Sequence, residues 1–331
     1  MTASTEQAAA ARATARGRVP DFFIVGHAKS GTTALYEMLR RHPQIFMPDA
    51  KEPWFLASDM RARFRSPMGG DEPETMEQYL ELFAPAAPDQ KAGEASSSYL
   101  WSRTAAREIA EVQPSARIVA ILREPASFLH SLHMQLLQTH VESERSLRRA
   151  LELEPERRAG RHVPRRSHRP QLLMYSDHVR YVEQLRRYHD AFAPEQVLVL
   201  IYEEFRRDNE TAVRRVLRHL GVDESQPVEL LQANPSVRMR SQGLDEAVHA
   251  LSVGSGPVSR AAKGAVKALT PRRLRRGALR ATQRHVVHAR PQAPDEQLMA
   301  ELRVRFAGEV SALSEYLGRD VAAVWGYDRV G

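Results

Sequence analysis

The residues whose types and spacing point most directly to chemistry are Gly26-His27-Ala28-Lys29-Ser30-Gly31-Thr32-Thr33. They follow the apolar run Phe22-Phe23-Ile24-Val25 and precede the helix-patterned run Ala34-Leu35-Tyr36-Glu37-Met38-Leu39-Arg40-Arg41. A strand, a tight loop and a helix N-terminus in that order make an anion site. The N–H groups that open a helix have no intrahelical partner and lie at the positive end of its dipole, and glycine lets the backbone approach the bound group. A nucleoside-triphosphatase loop would place Lys directly after its second Gly, with Ser or Thr next. Here Lys29 comes two residues before Gly31, and Thr32 takes the usual Lys place. Such a loop can hold a terminal anionic group with the Lys29 ammonium as a point charge, but its spacing does not match the cradle of a β,γ-phosphate pair. Lysine is otherwise scarce, occurring only at Lys51, Lys91, Lys263 and Lys267 in a chain rich in arginine. A compact ammonium where guanidinium is the habit points to a geometric requirement.

The elements that must position this loop can be read along the chain. A first strand and helix cover Phe22 to Arg41, and Gln44-Ile45-Phe46-Met47 is a short apolar run. Met76 to Phe83 reads as a short helix, and Gly93-Glu94-Ala95-Ser96-Ser97-Ser98-Tyr99 as a strand end passing into a loop. Thr104 is placed to cap a helix running to Val112; Arg117 to Leu122 is a buried-strand pattern, and Pro125 to Thr139 a helix. Pro155 to Pro170, rich in Arg and Pro, reads as a mobile basic surface loop. Helical spacing returns over Asp177 to Phe192, then a strand Val197 to Tyr202, then a helix from Asn209 to Leu220 closed by Gly221. A last helix runs from Asp295 to Leu317, with Leu298, Leu302, Val304, Val310, Leu313 and Leu317 as its buried stripe. Strands alternating with helices imply one α/β domain over residues 20–331, a mostly parallel, doubly wound sheet flanked by helices and similar to P-loop NTPases. Residues 1–19 are expected to be a disordered tail.

Lys29-Ser30-Gly31-Thr32-Thr33 resembles the 5′-phosphosulfate loop of sulfotransferases that use 3′-phosphoadenosine 5′-phosphosulfate (PAPS) as co-substrate. Arg123-Glu124-Pro125, with Ser131 eight residues after Arg123, looks like the same family's clamp on the 3′-phosphate. The resemblance covers most of Phe22 to Leu220 and the last thirty or so residues. It implies that Lys29 faces the leaving bridge oxygen, that Ser30, Gly31, Thr32 and Thr33 donate to the 5′-phosphate, and that Arg123 and Ser131 bind the 3′-phosphate. Tyr202 corresponds to a tyrosine that contacts adenine in relatives, though a core residue at a strand end reads equally well. Lys51-Glu52-Pro53 resembles the segment that carries the general base in glycan and tyrosyl-protein relatives, which makes Glu52 the leading base, with Lys51 beside it. Trp54 stands where the glycan enzymes often have His, so an aromatic wall for an acceptor competes there with a histidine-assisted relay. His27 lies inside the loop and could approach the leaving group; His130, His133 and His140 are the alternative histidines, with packing or exposure the stronger reading. Ser98 and Tyr99 look like a family segment near the nucleotide or acceptor, and either Arg238 or Arg240 is a candidate to reach the 3′-phosphate from the later loop.

The chain has 331 residues, 42% of them hydrophobic, so it can build a sizeable core. It contains no cysteine, which removes disulfides, thiolate metal ligands and thiol nucleophiles and fits a reducing compartment. No run approaches the roughly 18 to 20 apolar residues that cross a bilayer, so a cytoplasmic protein is expected. No histidine has carboxylate company at metal-ligand spacing, so no metal is expected. Net charge is +7, which favours anionic partners. The most basic part, 247–294, lacks any acidic residue and could be a cap over the nucleotide, a substrate region, a peripheral contact with an anionic membrane, or a solvated face. The expected activity is sulfuryl transfer to a hydroxyl, with an amine as second choice, of a sugar, phenol, lipid or other metabolite. A P-loop small-molecule kinase and a basic nucleic-acid-binding protein are the alternatives. The first is weakened by the displaced Lys29. The second is weakened by the absence of Phe, Tyr or Trp between Val253 and Pro294, so nucleic acid is not expected as a partner.

Overall fold

Short apolar runs make the strands of one parallel sheet: β1 (Phe22–Ile24), β2 (Ile45–Phe46), β3 (Lys91–Ala95), β4 (Arg117–Leu122) and β5 (Val197–Ile201), in the order β2-β3-β1-β4-β5. This computed structural model describes residues 17–64, 73–164, 167, 170–229, 238–239, 288–289 and 294–329. The central strand β1 pairs with β3 on one side, Ile24 opposite Ala95, and with β4 on the other, Ile24 opposite Val119. From β1 the chain steps outward to β2, returns to β3, and then crosses to β4. The loop after β1 therefore rises where the direction of winding reverses, the place where open α/β sheets bind their ligands.

Alternation along each strand feeds two cores. Phe23, Val25, Ile118, Ala120 and Leu122 enter one, and Phe22, Ile24, Val119 and Ile121 the other. A strand buried on both faces reads as continuous apolar sequence, and this one does. On the Phe22 side pack α1 (Thr32–Leu39) and later Asn209–Leu220, whose buried Ala212, Val213, Val216, Leu217 and Leu220 follow helical spacing.

On the opposite face are α2 (Ser58–Phe64), α3 (Met76–Glu81), α4 (Ala105–Val112), α5 (Pro125–Gln138), α6 (Leu147–Glu152), α7 (Glu154–Arg158), α8 (Tyr175–His178) and α9 (Tyr181–Ala191). After β5 come α10 (Tyr202–Arg207) and α11 (Asn209–Leu220), then α12 (Glu296–Leu317) and α13 (Val321–Trp325).

Several expectations need correction. Tyr202 does not end a strand; it opens α10, whose first turn carries Glu203 and Glu204 where the helix dipole favours them. Thr104 does not cap α4 with its side chain. Ser102 Oγ accepts from the N–H groups of Thr104 and Ala105 at 3.1 and 3.0 Å, while the Thr104 hydroxyl donates to Asp59. The stretch expected as a loop from Pro155 begins inside α7. There Arg157 is buried in a bidentate pair with buried Glu142, at 2.7 and 2.8 Å, so its polarity is satisfied within the protein rather than by water. Val304 is 65% exposed, because two residues beyond buried Leu302 is about 200° around the helix; Met299 and Phe306 complete the buried stripe instead. Arg238–Met239 pairs antiparallel with His288–Ala289; Arg240 and the rest of 247–293 lie outside the described residues.

Candidate active site

The loop after β1 is built for close approach. Gly31 has φ +89°, and a Cβ there would come within 3.1 Å of Phe205 Cε1 and Tyr202 Cδ2 on α10. At Gly26 a Cβ would sit 2.8 Å from the Ile121 carbonyl, so the loop's base lies directly on β4. Between them Lys29 is held at φ 66°, a left-handed conformation that costs a residue with a Cβ about 1–2 kcal/mol. Such conformations persist where the surroundings over-determine them, often at functional sites. Ser30 and Thr32 are buried and Thr33 is exposed; the Ser30 hydroxyl is buried with no hydrogen-bond partner. Desolvation, and then the neighbouring Arg123 guanidinium, push the Lys29 ammonium below its usual pKa.

Arg123 joins this loop to the rest of the cavity. Its Nη1 donates to the Lys29 carbonyl at 2.7 Å, its guanidinium lies 4.8 Å from the centre of the Tyr202 ring, and its Nε is buried without a partner. A cavity of 470 Å³ is lined by Arg123, Ser127, Tyr202, Glu203, Arg206 and Arg207. Ser131, only 3% exposed, sits one turn beyond Ser127 on α5. Orphaned donors at Ser30 Oγ and Arg123 Nε, beside the open start of α1, are what a ligand with two separated anionic groups would satisfy.

Two carboxylates stand next to this cationic lobe and are tied down by the C-terminal elements. Glu203 accepts from the Glu124 N–H at 3.2 Å and, through Oε2, from the Trp325 indole at 2.7 Å. Glu124 caps α5 by accepting from the N–H groups of Ala126 and Ser127, and takes the Tyr327 hydroxyl at 2.7 Å. Arg319 pairs with Glu204, and the Tyr181 hydroxyl donates to the Arg123 carbonyl at 2.7 Å. Burial raises the pKa of Glu203.

The Glu52 segment is fastened along the carboxyl end of β3, beside β1. The Glu52 N–H donates to the Ala95 carbonyl (3.1 Å), the Trp54 N–H to Ser96 Oγ (3.1 Å) and the Leu56 N–H to the Tyr99 hydroxyl (2.8 Å). Glu52 and Trp54 both have positive φ, 62° and 48°. Glu52 Oε1 accepts from Lys51 Nζ at 2.7 Å and from the Ser97 hydroxyl at 2.8 Å. Thus the Lys51–Glu52 pair is a partly buried, oriented one, and both strained backbone segments stand on neighbouring strand ends.

His27 is not brought to the Arg123 cavity. It is 3% exposed, its Nε2 lies 2.7 Å from Gln184 Oε1, and its ring packs on Phe128, Tyr181 and His178; burial drops its pKa to about 4. His133 is likewise buried, sharing a hydrogen bond with the Tyr175 hydroxyl, and His130 is half-buried on α5. His140 turns the chain after α5 at φ 57°. Ser97, Ser127, Arg206, Arg207, Trp325 and Tyr327 were not singled out from sequence. Ser127 carried a signal, four residues before Ser131 on one helix face; the C-terminal segment carried one only through the resemblance, which reaches the last thirty or so residues, and nothing in it pointed to the partners of Trp325 and Tyr327.

Residues 20–226 match the model of the Sulfotransferase family. Carbohydrate sulfotransferase 15 of Homo sapiens is 30% identical over 148 residues, covering 34% of this chain and 26% of that protein. The human bifunctional heparan sulfate N-deacetylase/N-sulfotransferase 3 is 27% identical over 210 residues, 62% of this chain and 22% of that protein. The chain thus spans about a quarter of the length of the curated relatives it matches. Among solved structures, a sulfotransferase from Alicyclobacillus acidocaldarius superposes with a TM-score of 0.65 and 27% identity, covering 92% of this chain and 98% of that one.

Proposed function

Because this chain belongs to the sulfotransferase family, we propose that it transfers a sulfuryl group from PAPS to an acceptor hydroxyl, with an amine as second choice. The observation that carries the reading is the bond from Arg123 to the Lys29 carbonyl, which unites the two anion-binding halves around one set of unpartnered buried donors. PAPS, when bound, supplies an activated sulfuryl group on a bridge oxygen that becomes anionic as transfer proceeds. Lys29 has already lost part of its hydration, so its ammonium meets that developing charge with little reorganisation. Ser30 Oγ and the N–H groups of Gly31, Thr32 and Thr33 hold the 5′-phosphate. Arg123 and Ser131 hold the 3′-phosphate, and Tyr202 lies against the nucleotide.

Glu52 takes the acceptor's proton. Lys51 and Ser97 both bond its Oε1, which leaves that role to Oε2 and fixes the direction from which a proton can arrive. Transfer in a positioned pair needs little more than alignment and charge neutralisation. A sugar is the first acceptor to test, since relatives at 27–30% identity are named for carbohydrate and for N-sulfation of heparan sulfate, so the panel carries sugars with free hydroxyls and with free amines; phenols and lipids follow.

The test combines binding with turnover. Thermal-shift titration should show stabilisation by 3′-phosphoadenosine 5′-phosphate (PAP), and none by ATP with magnesium or by an oligonucleotide. With labelled donor and a panel of sugars, phenols and lipids, Lys29→Ala and Glu52→Gln should each lose about 100-fold or more in turnover, Glu52→Gln still binding PAP. Full turnover by Glu52→Gln would remove it as base, and equal stabilisation by ATP with magnesium would favour a kinase.

A further inference from the structure

Beneath the Glu52 segment lies a carboxyl group without a task in the reading above. Glu94, on β3, is 1% exposed. Its Oε2 accepts from the Tyr79 hydroxyl at 2.8 Å, while its Oε1 is buried with no hydrogen-bond partner. The titratable groups that face it are the phenols of Tyr79 on α3, Tyr99 after β3 and Tyr188 on α9, together with the Glu52 carboxyl; the Ser96 hydroxyl is also beside it. The strongest influences on it are burial, hydroxyls and a second carboxylate, with no cation among them. An ionised Glu94 would be a buried charge next to a second carboxylate; the hydroxyls of Ser96, Tyr79 and Tyr99 favour that form, but burial outweighs them. Burial first, with ionised Glu52 adding to it, pushes Glu94 up to about 7.

The two carboxyl groups are also mechanically joined. Ala95 and Ser96, the next two residues after Glu94, accept the N–H groups of Glu52 and Trp54. Ser97 then bonds Glu52 Oε1. Any displacement of Glu94 is therefore felt in the Glu52 loop.

We propose that Glu94 is a positioning residue that holds the proton of a two-carboxyl pair, so that the negative charge of the pair stays on Glu52. The proposal rests on the reading of Glu52 as the base. Where two carboxyls differ in burial, the buried one keeps the proton and the more exposed one stays ionised, which separates their roles. Their titration belongs to the pair rather than to either alone. Well below its pKa of about 7, Glu94 is a neutral acid that adds no charge beside Glu52. As pH rises through that value, Glu94 ionises and places a second negative charge beside the base, which changes the field in which transfer occurs.

Infrared difference spectroscopy on the full chain decides where the proton sits without needing turnover. Wild type should show a protonated-carboxyl C=O band that titrates near neutrality and is missing in Glu94→Gln. The pH profile of kcat with labelled donor should lose its inflection near neutral pH in Glu94→Gln, with acceptor KM changed less than about twofold, since the amide keeps the shape of the acid. Tyr79→Phe removes the hydroxyl that favours the ionised form, and should move the band's midpoint upward by roughly half to one pH unit. That variant keeps the test open should Glu94→Gln fold poorly. A wild-type band that survives Glu94→Gln, or a profile merely scaled down with its shape intact, overturns the proposal while leaving Glu52 as base. Absence of donor-dependent transfer in wild type overturns both.

Discussion

Arg123 carries the site at the scale of single residues. One guanidinium bonds the Lys29 carbonyl, lies over Tyr202 and leaves its Nε buried and unpaired. A planar fork can do this and a lysine ammonium cannot, so the choice of Arg here and Lys at Lys29 follows from shape as much as charge. Burial first, and the Arg123 guanidinium after it, lower the pKa of Lys29, and an anion between the two cations would relieve that repulsion. Removing a charge-assisted bond costs about 1.5–3 kcal/mol. Arg123→Ala should therefore reduce affinity for PAP by about 10- to 100-fold, and for adenosine 5′-phosphate, which lacks the 3′ group, by much less. Isothermal titration calorimetry with both nucleotides measures the difference; equal losses would place the 3′-phosphate elsewhere.

Between residues and the whole chain, the elements show what the sequence could and could not display. The strand, loop and helix around Lys29 were legible because strand, glycine and helix start are all local signals, and the strand end before Arg123 and the helix that carries Ser131 because an apolar run and a Pro-led helix entry adjoin there. The C-terminal tether was not, because the bonds from Trp325 to Glu203 and from Tyr327 to Glu124 span 122 and 203 residues and leave no local pattern. Ser58–Phe64 and Glu154–Arg158 were missed for the same reason, since their polar side chains find partners such as Thr104 and Glu142 from distant segments. Tyr202 misled because the apolar run of β5 passes without a break into α10. The tether has a consequence of its own. Trp325→Phe leaves Glu203 Oε2 without its buried donor next to the Arg123 cavity, at a cost of about 1–3 kcal/mol. The expected result is a lower urea midpoint together with several-fold weaker PAP binding. Weaker stability with unchanged PAP affinity would make the C-terminal elements a prop for the fold alone.

At the scale of the whole molecule, the buried titratable groups set how stability responds to acid. His27 and His178 pack against each other in the core next to Phe128, and burial drops their pKa values to about 4 and about 3. In the unfolded chain both titrate near 6.5. Between those values the unfolded state binds the extra protons, so the stability from keeping these rings neutral is fully present above about pH 6.5 and is lost as pH falls toward 4. His130, His133, His189 and His219 are shifted in the same direction. Glu94 works the other way, because its folded pKa of about 7 exceeds the ordinary glutamate value of 4.5, so the native state is the one that holds the proton over that window. Glu203 is raised in the same sense as Glu94, but with six lowered histidines against these two carboxyls net proton uptake on unfolding is positive, and each net proton contributes about 1.4 kcal/mol per pH unit. Urea unfolding at a series of pH values should show stability falling from about pH 6.5 to about pH 4. His178→Gln, which cannot take up that proton, should flatten the slope even if it lowers stability at pH 7 through its lost stack on Trp101. Glu94→Gln should steepen it, since the opposing proton is gone. A slope that neither substitution moves would mean that the acid response originates in the surface ion pairs instead.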